Sequence, residues 1–101
     1  MIIRVWRGRT MASDASRHES YLRGYDGYRK TEGHEEAFLL RRPLGNETEF
    51  VLISLWRSME AIERYAGSDA ERANLHGLDK ALLSSADTKA VHYELAFRDS
   101  E

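Results

Sequence analysis

His92 lies in the terminal run Ala90-Val91-His92-Tyr93-Glu94-Leu95, where polar and apolar residues alternate as in a half-buried strand. Arg4 and Trp6 alternate in the same way in the opening run, Ile2 to Gly8. If the two runs are antiparallel neighbours, Arg4 and Trp6 share a face with His92 and Glu94, because side chains on one face align across a strand pair. A histidine there can accept a proton or donate a hydrogen bond near neutral pH. The same face also admits a purely structural arrangement, an Arg4–Glu94 ion pair beside an imidazole packed on the Trp6 indole. His18 is the second candidate. It falls on the stripe Ala15, His18, Leu22, Tyr25, with Tyr21 beside it, and a helix laid on the sheet aims it at the same interior. Tyr65 and Trp56 add aromatic area. Trp56 stands where a strand gives way to a helix, so it either seals the core or lines a pocket. His92 and His18 are thus the candidate catalytic residues, and Trp6, Tyr21, Arg4, Tyr65 and Trp56 the candidate substrate-binding ones.

Several chemistries are disfavoured from the outset. The chain has no cysteine, which removes disulfides, thiolate metal sites and cysteine nucleophiles. Its four histidines are scattered, so no metal cluster is expected, and no Gly-rich phosphate loop or Ser-His-Asp spacing is present. A formal charge of −2 with acids and bases interspersed gives no field for nucleic acid or an anionic membrane. No apolar run approaches the roughly 20 residues that span a bilayer, so a cytoplasmic protein without a membrane is the expectation. The 101 residues suit one domain, residues 1–101. Such a chain buries roughly 65% of its unfolded surface, a marginal core that a partner subunit would help.

The elements that must position these residues follow from the pattern. After the first strand, Ser13 or Asp14 can cap a helix that weakens at Gly24 and Gly27. Glu36 to Arg42 reads as a second strand stopped by Pro43, and Leu44-Gly45-Asn46-Glu47 as a tight hairpin turn. Thr48 to Arg57 is a third strand, apolar on both sides: Phe50, Leu52 and Trp56 on one, Val51, Ile53 and Leu55 on the other. Ser58 can cap the next helix, with Met59, Ile62, Tyr65 and Ala66 on one face and Gly67 beyond its end. Ser68 to Glu71 matches a capping box, which predicts another short helix there. Leu75, Leu78 and Leu82 then continue an apolar stripe through Leu83 to the last strand. Strand, helix, strand, strand, helical region, strand fits a split βαβ sheet with helices on one face. Since the third strand is apolar on both sides, the other face also wants cover, and a second copy packed sheet against sheet would supply it.

Ile3-Arg4-Val5-Trp6-Arg7-Gly8, Phe38-Leu39-Leu40-Arg41-Arg42, Glu49-Phe50, Leu55-Trp56-Arg57-Ser58-Met59-Glu60-Ala61-Ile62, Tyr65-Ala66-Gly67 and Val91-His92-Tyr93-Glu94-Leu95 together resemble the small antibiotic-biosynthesis-monooxygenase-like domains. The resemblance covers nearly the whole chain. It implies an α+β, ferredoxin-like βαββαβ fold with an antiparallel sheet, pairing into a dimeric α+β barrel. The segment from Ser13 to Gly33 is shorter than is common in that family. The superfamily includes cofactor-independent oxygenases, haem-degrading enzymes and many members with no known activity. The expected function is therefore a cofactor-independent monooxygenase acting on a small aromatic or polyketide-like molecule. The alternative is a small-ligand-binding or structural dimer module without turnover. Haem binding is a third reading: His76 could be a ligand, but the haem-degrading relatives also carry an asparagine on the first strand and a tryptophan on the second helix. Here Arg7 and Gly8, and Tyr65, stand in those regions. No cofactor is expected.

Overall fold

The computed structural model describes residues 1–73, 75 and 78–99. Its strands are β1 (Ile2–Met11), β2 (His34–Leu44), β3 (Glu47–Trp56), β4 (Leu83–Ala86) and β5 (Val91–Glu94). The helices are α1 (Ala15–Gly24), α2 (Met59–Ala66) and α3 (Leu78–Leu82), with a single 3-10 turn, Ala12–Asp14, ahead of α1. All strand pairs are antiparallel, in the order β2-β3-β1, and β4 and β5 share the far edge of β1. β4 lies along Gly8 to Thr10 and β5 along Ile2 to Val5.

Register fixes which residues share a face. Arg4, Ser54 and Ala37 form one row, Trp6, Leu52 and Leu39 the next, and Gly8, Phe50 and Arg41 a third. These rows face the helices. α1 buries Ala15 and Leu22 against Phe50, while α2 buries Ala61 and Ile62 against Trp56 and Tyr28. Trp56, Phe50 and Ile62 are fully enclosed, and each such side chain stabilises the fold by roughly 1.5–3 kcal/mol. The opposite face carries Val5, Ile53 and Phe38 in one row, flanked by Val91, Tyr93 and Leu40. There Phe38 is 52% exposed and Tyr93 55%.

Local signals account for most element ends. Ser58 accepts a hydrogen bond from the Ala61 amide at 3.2 Å, and Gly67, at φ +92°, donates to Glu63 at 2.8 Å beyond the end of α2. Gly33 has φ +98° and lies where a Cβ would collide with the Ala61 Cβ, so α2 can approach the sheet only over a glycine.

Four expectations are corrected. β2 continues through Pro43, which pairs with Thr48; β2 is an edge strand, where alternate N–H groups have no partner and proline is accommodated. Neither Ser13 nor Asp14 caps α1 through its side chain, because the 3-10 turn takes up that entry. Ser68 to Glu71 forms bends and turns in place of a helix, followed by an isolated bridge from Arg72 to Lys89. The reason is tertiary: carbonyls of this segment accept hydrogen bonds from Arg4, and its backbone pairs with residues 88 and 90. Leu83 begins β4 and does not prolong the helix, so the last strand position is divided between β4 and β5.

Candidate active site

Arg4 points from the centre of β1 toward the helices and is 6% exposed. Its guanidinium donates to the carbonyls of Ala70 and Arg72, the latter at 3.1 Å, and to Nε2 of His92 at 2.8 Å. A guanidinium has no acceptor, so His92 must accept through Nε2 and carry its proton on Nδ1. His92 is therefore neutral. Burial, then the Arg4 charge, lowers its pKa from the ordinary imidazole value, against a smaller opposing effect of Glu71. Burial also lowers the Arg4 pKa, with Tyr65 opposing. The expected Arg4–Glu94 ion pair is absent because the register sets His92 opposite Arg4 and Glu94 opposite Ile2. Among the described residues, no carboxylate lies within ion-pair reach of Arg4. A desolvated cation thus stands without a counter-anion among the described residues.

This cation faces a cavity of about 50 Å³ between the sheet and the helices. Trp6, Tyr25, Tyr28 and Tyr65 line it with Leu22 and Leu52. The Trp6 indole donates to the Asp87 carbonyl at 3.1 Å, and Gly8 leaves room for it, since a Cβ there would sit 2.6 Å from the ring. The Tyr65 ring lies 5.9 Å from the Arg4 guanidinium carbon. Burial, then a hydrogen bond with Tyr25, raises the Tyr65 pKa well above the usual phenol range, so it stays a neutral phenol.

The cavity's carboxylate is Asp79, from α3. It is 7% exposed, and its Oδ1 is 2.7 Å from Nε2 of His18, which is fully buried on α1. Nδ1 of His18 has no hydrogen-bond partner among the described residues. A neutral ring with its proton on Nε2 leaves only a lone pair unsatisfied there, whereas a charged ring would strand an N–H; the arrangement therefore fits Asp79 carboxylate accepting from neutral His18. His18 meets Phe50 edge-on, with centroids 5.0 Å apart, and stacks on Tyr21 at 6.4 Å.

Trp6, Arg4 and Tyr65 therefore meet around one cavity. His18 reaches that wall through Asp79, Tyr21 sits beside His18, and His92 stands behind Arg4. Trp56 is fully buried in the core, donates to the Ser54 hydroxyl at 2.8 Å and stacks on Tyr65 at 5.7 Å, so it adjoins the cavity through those two residues. Sequence reasoning missed Asp79, although a signal existed: it falls at helical spacing within Leu75, Leu78 and Leu82, an acid on an apolar stripe. His76 lies outside the described residues.

An outer cleft of about 190 Å³ adjoins the cavity, and Leu22, Tyr28 and Leu52 wall both spaces. Together the two fall below the roughly 300 Å³ at which drug-sized pockets begin. Among the described residues, no group of three or more histidine, aspartate and glutamate side chains is placed to hold a metal ion. Nor is any of their helices long and apolar enough to cross a membrane.

The order of elements, the antiparallel register and helices confined to one face define a ferredoxin-like α+β protein. The antibiotic biosynthesis monooxygenase profile matches residues 2–74, and the chain belongs to that family. Solved structures share the fold at low identity. A Bacillus cereus protein assigned to the antibiotic biosynthesis monooxygenases is 17% identical, with a TM-score of 0.73 over 100% of this chain and 96% of that one. SnoaB from Streptomyces nogalater, a cofactor-independent oxygenase solved as a point mutant, is 16% identical, with a TM-score of 0.66 over 99% and 97%. The haem degrader MhuD from Mycobacterium tuberculosis, solved with two haems in its active site, is 17% identical, with a TM-score of 0.62 over 99% and 100%. No curated protein matches the sequence.

Proposed function

We propose that the protein is a cofactor-independent monooxygenase for a small aromatic, polyketide-like molecule that is acidic enough to be ionised in the cavity. The observation that carries this reading is Arg4, a buried cation without a carboxylate partner among the described residues, facing an aromatic-walled cavity that also holds Asp79. Arg4 holds an oxygen of the substrate and stabilises the negative charge that develops on it. Asp79 takes the proton. His18 is a positioning residue that orients Asp79 by donating from Nε2. Trp6 and Tyr65 hold the ring, and His92 fixes the Arg4 fork from behind. The electron-rich anion then reacts with dioxygen. For an anthrone-type substrate, whose outer rings would lie in the adjoining cleft of about 190 Å³, the ring methylene and one dioxygen molecule give a ring ketone and one water. Both C–H bonds of the methylene break, one oxygen atom becomes the new carbonyl oxygen, and the other leaves as water with the two hydrogens. The methylene carbon is oxidised by four electrons and dioxygen takes up all four, so no other reductant takes part.

The reading includes a homodimer, supported by the apolar face bearing Phe38, Leu40, Val91 and Tyr93, where a second copy would remove that surface from water. The test of the chemistry is incubation with 1,8-dihydroxyanthrone under ¹⁸O-labelled dioxygen and mass spectrometry of the quinone. Labelled quinone should form above the buffer rate, and Asp79→Asn should slow it by about 10²-fold or more. No enzyme-dependent label, or an unimpaired Asp79→Asn protein, would overturn the reading. Binding without label would leave the non-catalytic ligand-binding module, a role the small inner cavity also suits.

A further inference from the structure

The outer cleft lies between α1 and the β2 side of the sheet. Its floor is apolar, formed by Leu22, Ala37, Leu39 and Leu52 with the Tyr28 ring, while Arg23, Arg29 and His34 stand at its sides, and no acidic residue lines it. The Arg29 guanidinium carbon lies 5.4 Å from the Tyr28 ring centroid, and its Nη1 donates to the Arg23 carbonyl at 3.0 Å, so it is held over the aromatic wall. The acids around this rim are engaged elsewhere. Asp26 pairs with Lys30 at 2.9 Å, Glu35 with Arg57 at 2.7 Å, and Glu19 with Arg41 at 2.8 Å, reaching Arg23 only at 3.7 Å. His34 packs between Tyr28 and Trp56, both at 5.1 Å, and its Nε2 has no hydrogen-bond partner among the described residues.

We infer that this cleft is a subsite for an aromatic carboxylate, with the ring on Leu22, Tyr28, Leu39 and Leu52 and the carboxylate held by Arg29 and Arg23. An apolar floor beneath two guanidiniums, of which Arg23 has only a long 3.7 Å contact to Glu19, suits a flat ring bearing one negative charge, and planar carboxylates match guanidinium donors. The inference rests on reading the inner cavity as the reaction site. Because the cleft and the cavity share Leu22, Tyr28 and Leu52, a ring seated in the cleft lies against the wall of the cavity that holds Arg4 and Asp79. The substrate is then an aromatic acid that reacts at the end away from its carboxylate.

The experiment is titration of ¹⁵N-labelled protein with 2-naphthoate and, separately, with its neutral counterpart 2-naphthalenemethanol. Naphthoate should shift amides of Leu22, Tyr28, Leu39 and Leu52 and bind more tightly than the alcohol. Arg29→Gln and Arg23→Gln should each weaken naphthoate about threefold while leaving the alcohol unchanged. Arg41→Gln, which removes a neighbouring cation paired with Glu19, should leave the preference intact. Equal affinity of both probes, or shifts centred on Phe38, Leu40 and Tyr93 of the opposite face, would overturn the subsite. If Arg4→Gln abolishes the preference and Arg29→Gln does not, the carboxylate sits inside the cavity, and the subsite fails while the proposed reaction stands. Loss of isotope incorporation with cleft binding intact would reverse that outcome.

Discussion

Replacing Arg4 with methionine separates a cation kept for a ligand from one kept for the fold. The side chain donates to two backbone carbonyls and to His92, and hydrogen bonds to a charged group contribute roughly 1.5–3 kcal/mol each. Against them stands the cost of holding an unpaired guanidinium at 6% exposure, several kcal/mol for a buried ion. The carbonyls belong to Ala70 and Arg72 in a surface turn, where water can replace the lost donor. The two sums nearly cancel, so Arg4→Met should cost only about 1–2 kcal/mol, a fall of roughly 1 M in the urea midpoint. His92 provides a second readout. With its donor and the neighbouring charge removed, its pKa should rise toward the ordinary imidazole value in an NMR titration. The third readout is 4-nitrophenol, whose ionised form absorbs visible light: the wild type should bind the phenolate in preference to the phenol, and the variant should not. A loss above about 4 kcal/mol, beyond the range of a near-cancelling ion, or an unchanged phenolate preference, would show that Arg4 is a structural cation and refute the argument.

Two further outcomes follow from the same geometry. Phe38→Asp puts a charge at the centre of the exposed apolar face and should weaken self-association at least about a hundredfold in sedimentation velocity; a wild type that sediments as a monomer at micromolar concentration would remove the dimer. Acid should destabilise the protein early. Burial holds both His34 and His92 below the ordinary imidazole pKa of 6.5, so below that pH the unfolded chain binds more protons than the native one. Their contribution is complete above about 6.5 and is lost as pH falls through the lowered native values. The lowered carboxyls of Asp26 and Glu49 act only further into acid. Stability in urea that stays flat from about pH 7 to 5 would contradict this assignment.

The sheet was legible because its signals are local and repeat. Alternation in β1 and β3, the Gly45 turn and the Ser58 cap each act within a few residues, and the two-sided apolar pattern of β3 correctly implied an uncovered face. What was illegible was set by tertiary contacts. Ser68 and Glu71 satisfy the rule for a helix start, yet the segment gives its carbonyls to Arg4, sixty-six residues from Ala70 in the chain. The division of the last strand was hidden for the same reason. Residues 88–90 leave the edge of β1 because the Thr88 carbonyl accepts from the Ala73 amide and the Ala90 amide donates to the Glu71 carbonyl.

For the candidate site, pattern and chemistry part company at one pair. Alternation placed Arg4 and His92 together correctly, and a titratable imidazole beside a cation reads from sequence as the reactive group. The register makes the opposite assignment more economical. A guanidinium can only donate, so the imidazole it meets must spend its lone pair on that contact, and the charge next to it disfavours a second proton. The acceptor left for a substrate proton is then Asp79, whose partner His18 is enclosed and whose own position borders the cavity. A carboxylate that faces an unpaired guanidinium across an aromatic cavity, without forming an ion pair with it, leaves each free to take a different atom of one ligand. That separation of acceptor from cation, more than the identity of any histidine, is what a proton-abstracting site requires, and exchanging Asp79 and Arg4 for their neutral amides one at a time measures each half of it.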